Sequence, residues 1–92
     1  MGRPHCNYII GFCPTYDSFK PEGLSCDDCV ELTPEELESL RLKNLKNLDQ
    51  TAAAKKMGIS QSTFQRILSS AYKKVSQALI EGRELKILKN KA

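Results

Sequence analysis

Asp49-Gln-Thr-Ala-Ala-Ala-Lys-Lys-Met57-Gly58-Ile59-Ser60-Gln-Ser-Thr-Phe64-Gln-Arg-Ile-Leu68 is the stretch that decides the fold of this chain. It reads as a helix, a tight turn and a second helix. Asp49 is a candidate N-cap, because its carboxylate can accept from the orphan amides of a first helical turn. Ala53, Ala54 and Met57 recur at helical spacing, and the two small residues let another helix approach closely. Gly58 falls where the chain must reverse, a position that favours a left-handed residue without a Cβ. Ile59 is placed to plug the space between the helices. Ser60 offers a second N-cap oxygen before Phe64, Ile67 and Leu68 resume an apolar stripe.

The residues left off that stripe carry the functional expectation. Gln61, Ser62, Gln65, Arg66 and Ser69 lie toward the start of the second helix, where a recognition helix meets base edges in the major groove. Gln pairs naturally with adenine and Arg with guanine. Thr51, Lys55, Lys56, Thr63, Ser69 and Lys73 are phosphate-contact candidates, Ser60 serving in either role. The competing interpretation is an antiparallel helix pair with an ordinary solvated face. Agreement in register between the small pair, the Gly turn and the apolar positions favours DNA.

Charge is distributed accordingly. Residues 1–48 hold five basic and eight acidic side chains, net −3, whereas residues 49–92 hold nine basic and three acidic, net +6. The cationic half is therefore the half that contains the turn, as phosphate binding requires. With 92 residues, the chain has room for one domain of three or four helices and no deep substrate cleft. One His, no phosphate-binding loop and no nucleophile beside a base argue against an enzyme. No apolar run is long enough to cross a membrane, and the first residues lack a signal-peptide core, so a cytoplasmic location is expected.

Residues 1–32 differ from the rest, holding all four Cys, three of four Pro and four of six aromatics. They are expected to form a short, irregular arm. Cys6, Cys13, Cys26 and Cys29 are spaced C-x6-C and C-x2-C, and the second pair has zinc-knuckle spacing. A structural zinc ion on these four, with His5 as a substitute ligand, stands beside two other readings: a redox pair at Cys26 and Cys29, or four unconnected thiols. Within the arm, Tyr8 to Phe12 is β-prone, and Phe19-Lys20-Pro21-Glu22-Gly23 marks a turn.

A helical domain is expected over residues 33–82. Thr33, Pro34 and Glu36 spell an N-cap, a first-turn Pro and a capping box, with Leu32 stapled onto Leu37. This explains the acidic cluster Glu35, Glu36 and Glu38 better than paired catalytic carboxylates do. The helix should end near Asn44 and bury Leu37, Leu40 and some of Leu42, Leu45 and Leu48. Beyond the turn, Phe64, Ile67, Leu68, Ala71, Val75, Ala78 and Leu79 keep helical spacing almost to Gly82, a candidate C′ stop. The second helix therefore either runs on or breaks near Ser69-Ser70. Lys74, like Lys73, lies off the stripe, facing phosphate or water. In the basic tail 83–92, Leu85 and Ile87 suggest a short strand that pairs with Tyr8–Phe12.

Several of these elements, taken together, resemble a small prokaryotic family of predicted DNA-binding proteins. The matching residues are Thr33-x-x-Glu36-Leu37-Glu38-x-Leu40-Arg41-Leu42, Gln50-x-Ala52-Ala53, Met57-Gly58-Ile59-Ser60, Thr63-Phe64-x-Arg66-Ile67-Leu68 and Lys74-Val75. Phe12-x-Pro14, Phe19-Lys20-Pro21-x-Gly23 and Ala78-Leu79-x-x-Gly82 extend the likeness over nearly the whole chain. The resemblance implies a mainly α, sigma-region-four-like helix-turn-helix and a transcriptional role, with base reading carried onto Ser60, Gln61, Ser62, Gln65 and Arg66. The tail Leu88-Lys89-Asn90-Lys91 departs from that family's glycine-rich end, and the four cysteines are not among its defining features. The expected partner is double-stranded DNA; RNA polymerase and a second copy of the chain are further candidates, and the sequence does not fix the oligomeric state. Two rival functions are a module that docks on the transcription machinery without touching DNA, and a thiol- or metal-responsive regulator.

Overall fold

A computed structural model describes residues 9–23 and 28–89 of the chain. Four apolar residues at alternating or helical spacing, Val30, Leu32, Ala71 and Ile87, show how its layers meet. Strand β2 (Cys29–Leu32) points Val30 and Leu32 inward and Cys29 and Glu31 outward. One residue later Thr33 caps helix α1 (Pro34–Leu40) through the expected box: its hydroxyl accepts from Glu36 N–H at 3.2 Å, and Glu36 Oε1 accepts from Thr33 N–H at 2.9 Å. The chain continues through a π-helical turn, Arg41–Leu45, in which Lys46 N–H reaches back to Arg41 O. Leu42 is buried, Leu48 is half-buried and Leu45 faces solvent.

Helix α2 (Gln50–Met57) starts at Asp49, whose Oδ1 accepts from Ala52 N–H at 2.8 Å. Gly58 closes it in the left-handed conformation, φ 72° and ψ 32°. Helix α3 (Gln61–Glu81) begins at Ser60, runs unbroken for 21 residues and stops at left-handed Gly82. Strand β3 (Glu84–Ile87) then lies between β2 and a two-residue strand, β1 (Ser18–Phe19). It runs parallel to β2, with Leu32 opposite Ile87, and antiparallel to β1, with Phe19 opposite Leu85. The parallel pair is joined by all three helices, so the ends of the helical region are tied side by side.

Two apolar clusters share Leu40. The first gathers Leu42, Ala53, Ala54, Met57, Phe64 and Leu68, with Ile10 and Ile59 against it. The second gathers Leu32, Ala71 and Ile87 between helices and sheet, with the stapled Leu37 and Val75 at its edge. Each of the three helices contributes to the first cluster or to Leu40 beside it, and this fixes the attitude of α3.

Two expectations need correction. Strand β3 exists, but its partners are Ser18–Phe19 and Cys29–Leu32 rather than Tyr8–Phe12. Tyr8 lies outside the described residues, and residues 9–12 form no strand. Ile9 N–H instead donates to Met57 O, and Ile10 packs on the helical core. Val30 and Leu32 supply the buried alternation that the central strand needs. Leu79 also leaves the apolar stripe, since it is 77% exposed.

Gly58 gives the first testable consequence. A Cβ there would carry left-handed strain and sit 3.2 Å from Ile9 Cδ1. Gly58→Ala should lower stability by about 1–2 kcal/mol, read as a reduced denaturant midpoint with an unchanged slope. An unchanged midpoint would mean that the turn tolerates a side chain.

Candidate nucleic-acid interface

The face that α3 offers to solvent follows from what its other side buries. Phe64, Leu68, Ala71 and Ala78 are sealed in the fold. Gln61, Ser62, Gln65, Arg66 and Ser69 are therefore all turned outward and exposed. Their surroundings differ. Ser60 is committed to the cap: its oxygen accepts from Thr63 N–H at 3.2 Å while its hydroxyl donates to Thr63 Oγ1 at 2.9 Å. Half-buried Thr63 is thereby held as well. Gln61 Oε1 accepts from the Thr51 hydroxyl at 3.3 Å, linking the starts of α2 and α3. Ser62, Gln65, Arg66 and Ser69 line one shallow hollow.

The cations fall into two groups. Lys74 does not join the exposed cations of α3, because its Nζ donates to buried Glu36 Oε1 at 2.9 Å. The Ser70 hydroxyl donates to the other oxygen, Oε2. Burial pushes the Glu36 carboxyl up, but donation from Ser70, Lys74 and the Thr33 amide outweighs it and holds the group below its ordinary value. Glu38 is treated alike. Burial raises it, whereas the Arg41 guanidinium, at 2.8 Å from each oxygen, and Gly11 N–H bring it below the usual range. The same contact raises Arg41, which also lies 5.8 Å over the Phe12 ring. The two buried carboxylates of α1 are thus neutralised within the fold.

Lys55 and Lys56 on the last turn of α2, and Arg66 and Lys73 on α3, are exposed and make no ion pair among the described residues. Ser62, Arg66, Ser69 and Lys73 follow one another at i, i+4, i+7 and i+11, one line along the helix. Arg66 also borders a neighbouring hollow with Thr33, Glu35 and Ser70.

Of the four cysteines of the zinc expectation, two are described. Cys13 and Cys29 are exposed free thiols, Cys29 at the first position of β2. Cys6 and Cys26, with His5, lie outside the described residues. Among the described residues no three metal-ligating groups converge, and no helix is long and apolar enough to cross a membrane.

What the sequence missed is the role of Ser70 and Lys74. They stand at i and i+4 on the flank of α3 turned toward α1. That spacing was visible, but the carboxylate they share lies 34 and 38 positions earlier in the chain.

The fold is thus a mainly helical unit closed by a three-stranded sheet. The chain belongs to the family described as protein of unknown function DUF134, which it matches over residues 1–91. It is 46% identical to a UPF0251 protein of Desulforudis audaxviator over 95% of this chain and 58% of that protein. A UPF0251 protein of Halothermothrix orenii is 42% identical over 94% and 65% of the two chains. One from Vibrio vulnificus is 40% identical over 92% and 87%. The chain spans between 58% and 65% of the length of the first four relatives it matches. No solved structure matches it.

Proposed function

We propose that this protein binds double-stranded DNA sequence-specifically through α3 and regulates transcription, in the manner of a sigma-region-four-like helix-turn-helix. The observation that carries the reading is the line Ser62, Arg66, Ser69 and Lys73, exposed and cationic, on a helix whose opposite side is locked into the core. Ser62, Gln65 and Arg66 meet base edges. Lys55, Lys56 and Lys73 meet phosphates, while Ser60, Thr63, Thr51 and Gln61 fix the start of α3. The internal pairing of Glu36 and Glu38 supports it, because it lessens the repulsion a polyanion would meet.

Duplex selection from a random pool, followed by mobility shifts at graded salt, tests this. Arg66→Ala should weaken the selected duplex by roughly 1–3 kcal/mol and relax preference at one base pair. Lys55→Ala should weaken all duplexes alike and reduce the salt slope by about 0.9. An absence of any shift at low salt defeats the proposal. Zinc analysis of the native protein, before and after chelation, tests the proposed four-cysteine site separately.

A further inference from the structure

The outer face of α3 changes character halfway along. Its first half presents Gln, Ser and Arg. Its second half presents, beside Lys73, Ser76 and Glu81, the apolar Tyr72, Leu79 and Ile80, which are 43%, 77% and 85% exposed. Such a face, on a helix whose core side is already satisfied, has an occupant to find. At about 100° per residue, Tyr72, Ser76, Leu79 and Ile80 fall within one sector. Phe19, 57% exposed, extends the patch past Leu79, where it borders a hollow of about 350 Å³ with Pro21, Ala78 and Leu85.

We propose that this patch is a self-association surface on which a second copy of the chain packs, the two α3 helices crossing antiparallel at Ser76. The spacing of the patch argues for an identical partner. A twofold axis at Ser76 sets position 76−n against 76+n, so Tyr72 of each copy meets Ile80 of the other, and the small Ser76 meets itself. Tyr72 is a prepared anchor, because its hydroxyl exchanges hydrogen bonds with the Asn44 side chain at 3.0 and 3.2 Å. Covering Tyr72, Leu79, Ile80 and Phe19 on both copies removes on the order of 1,000 Å² from water, the lower bound for a specific interface. The dimer is therefore concentration-dependent.

The same operation has a consequence for DNA, which rests on the proposed function, whereas the association itself does not. The line Ser62, Arg66, Ser69 continues the Ile80 side of the patch toward the start of α3, with Arg66 about 40° beyond Ile80, and a twofold axis keeps that side the same in both copies. The middle of the line lies roughly 16 Å along the axis from Ser76. The two lines are then roughly 32 Å apart, close to the ~34–36 Å of half-sites one duplex turn apart.

Sedimentation equilibrium of the full chain in reductant, without DNA, tests the association. The parent should show a monomer–dimer equilibrium. Ile80→Asp should raise its dissociation constant about thirtyfold or more, with an unchanged circular dichroism spectrum because Ile80 contributes nothing to the core. Leu79→Asp should act the same way, and Arg66→Ala should leave the equilibrium untouched. A parent that is monomeric up to its solubility limit overturns the proposal, as does a dimer that Ile80→Asp and Leu79→Asp leave intact. A dimer that shifts no DNA upholds this surface and removes the proposed function; a monomer that shifts DNA does the reverse.

Discussion

Phe64→Ala is expected to lower stability by about 3–5 kcal/mol, the largest loss for any single truncation among the described residues. Phe64 is completely buried and is the largest side chain of the first apolar cluster. It sits on the first full turn of α3 and packs with Leu42, Ala53, Ala54 and Met57, which come from the α1 extension and α2. The alanines that let α2 approach have no reach with which to refill the space. The cavity therefore stays open and its lining loses both burial and dispersion. For a domain of this length the loss corresponds to roughly 15–30 °C in Tm, measurable by thermal circular dichroism. Gln65→Ala, one residue away on the exposed face, should move stability by no more than about 0.5 kcal/mol. A Phe64→Ala loss below about 1 kcal/mol would show that α3 is not anchored at this point.

The contrast between neighbours 64 and 65 was legible in the sequence because it is local. Caps, turn and stripe are written at spacings of three and four, and Thr33, Asp49, Gly58, Ser60 and Gly82 all take the positions that spacing assigns. The C-terminal strand was legible too, because Leu85 and Ile87 alternate within five residues. Its partners were not. Ser18–Phe19 is two residues long, and Cys29–Leu32 shows only one full alternation of its own. Choosing between such runs depends on which one lies over α3, a tertiary fact. Leu79 failed for a related reason, since helical spacing ranks it with Val75 and Ala78 but cannot tell which edge of the stripe the fold leaves uncovered. In the candidate site, exposure followed from the stripe. The commitment of Ser60 to capping followed from the same local rule. The removal of Lys74 from the surface cations did not, for its partner is remote in sequence.

That remote pairing yields the second large effect. Glu36→Ala should cost about 2–4 kcal/mol at neutral pH, because three donors lose one acceptor group together. The Thr33 amide loses the return arm of the capping box, the Ser70 hydroxyl loses its acceptor, and Lys74 loses its counter-charge. The Lys74 side chain remains 31% exposed, so water screens its share and the total falls short of a fully buried pair. The pH dependence separates charge from packing. A carboxyl held below its ordinary 4.5 in the folded state stabilises fully above that value, and the contribution is lost as pH falls through the lower folded value. The gap between parent and Glu36→Ala should therefore be widest near neutrality and narrow below pH ~4. Glu38, lowered for similar reasons, keeps the variant acid-sensitive in the same direction. Denaturant midpoints at pH 7 and pH 3 provide the comparison. A gap of equal size at both would assign the loss to packing and leave the Lys74 contact without an electrostatic role. A gap that closes in acid would identify an ionised link between α1 and α3, one that holds α3 from the flank beside exposed Arg66.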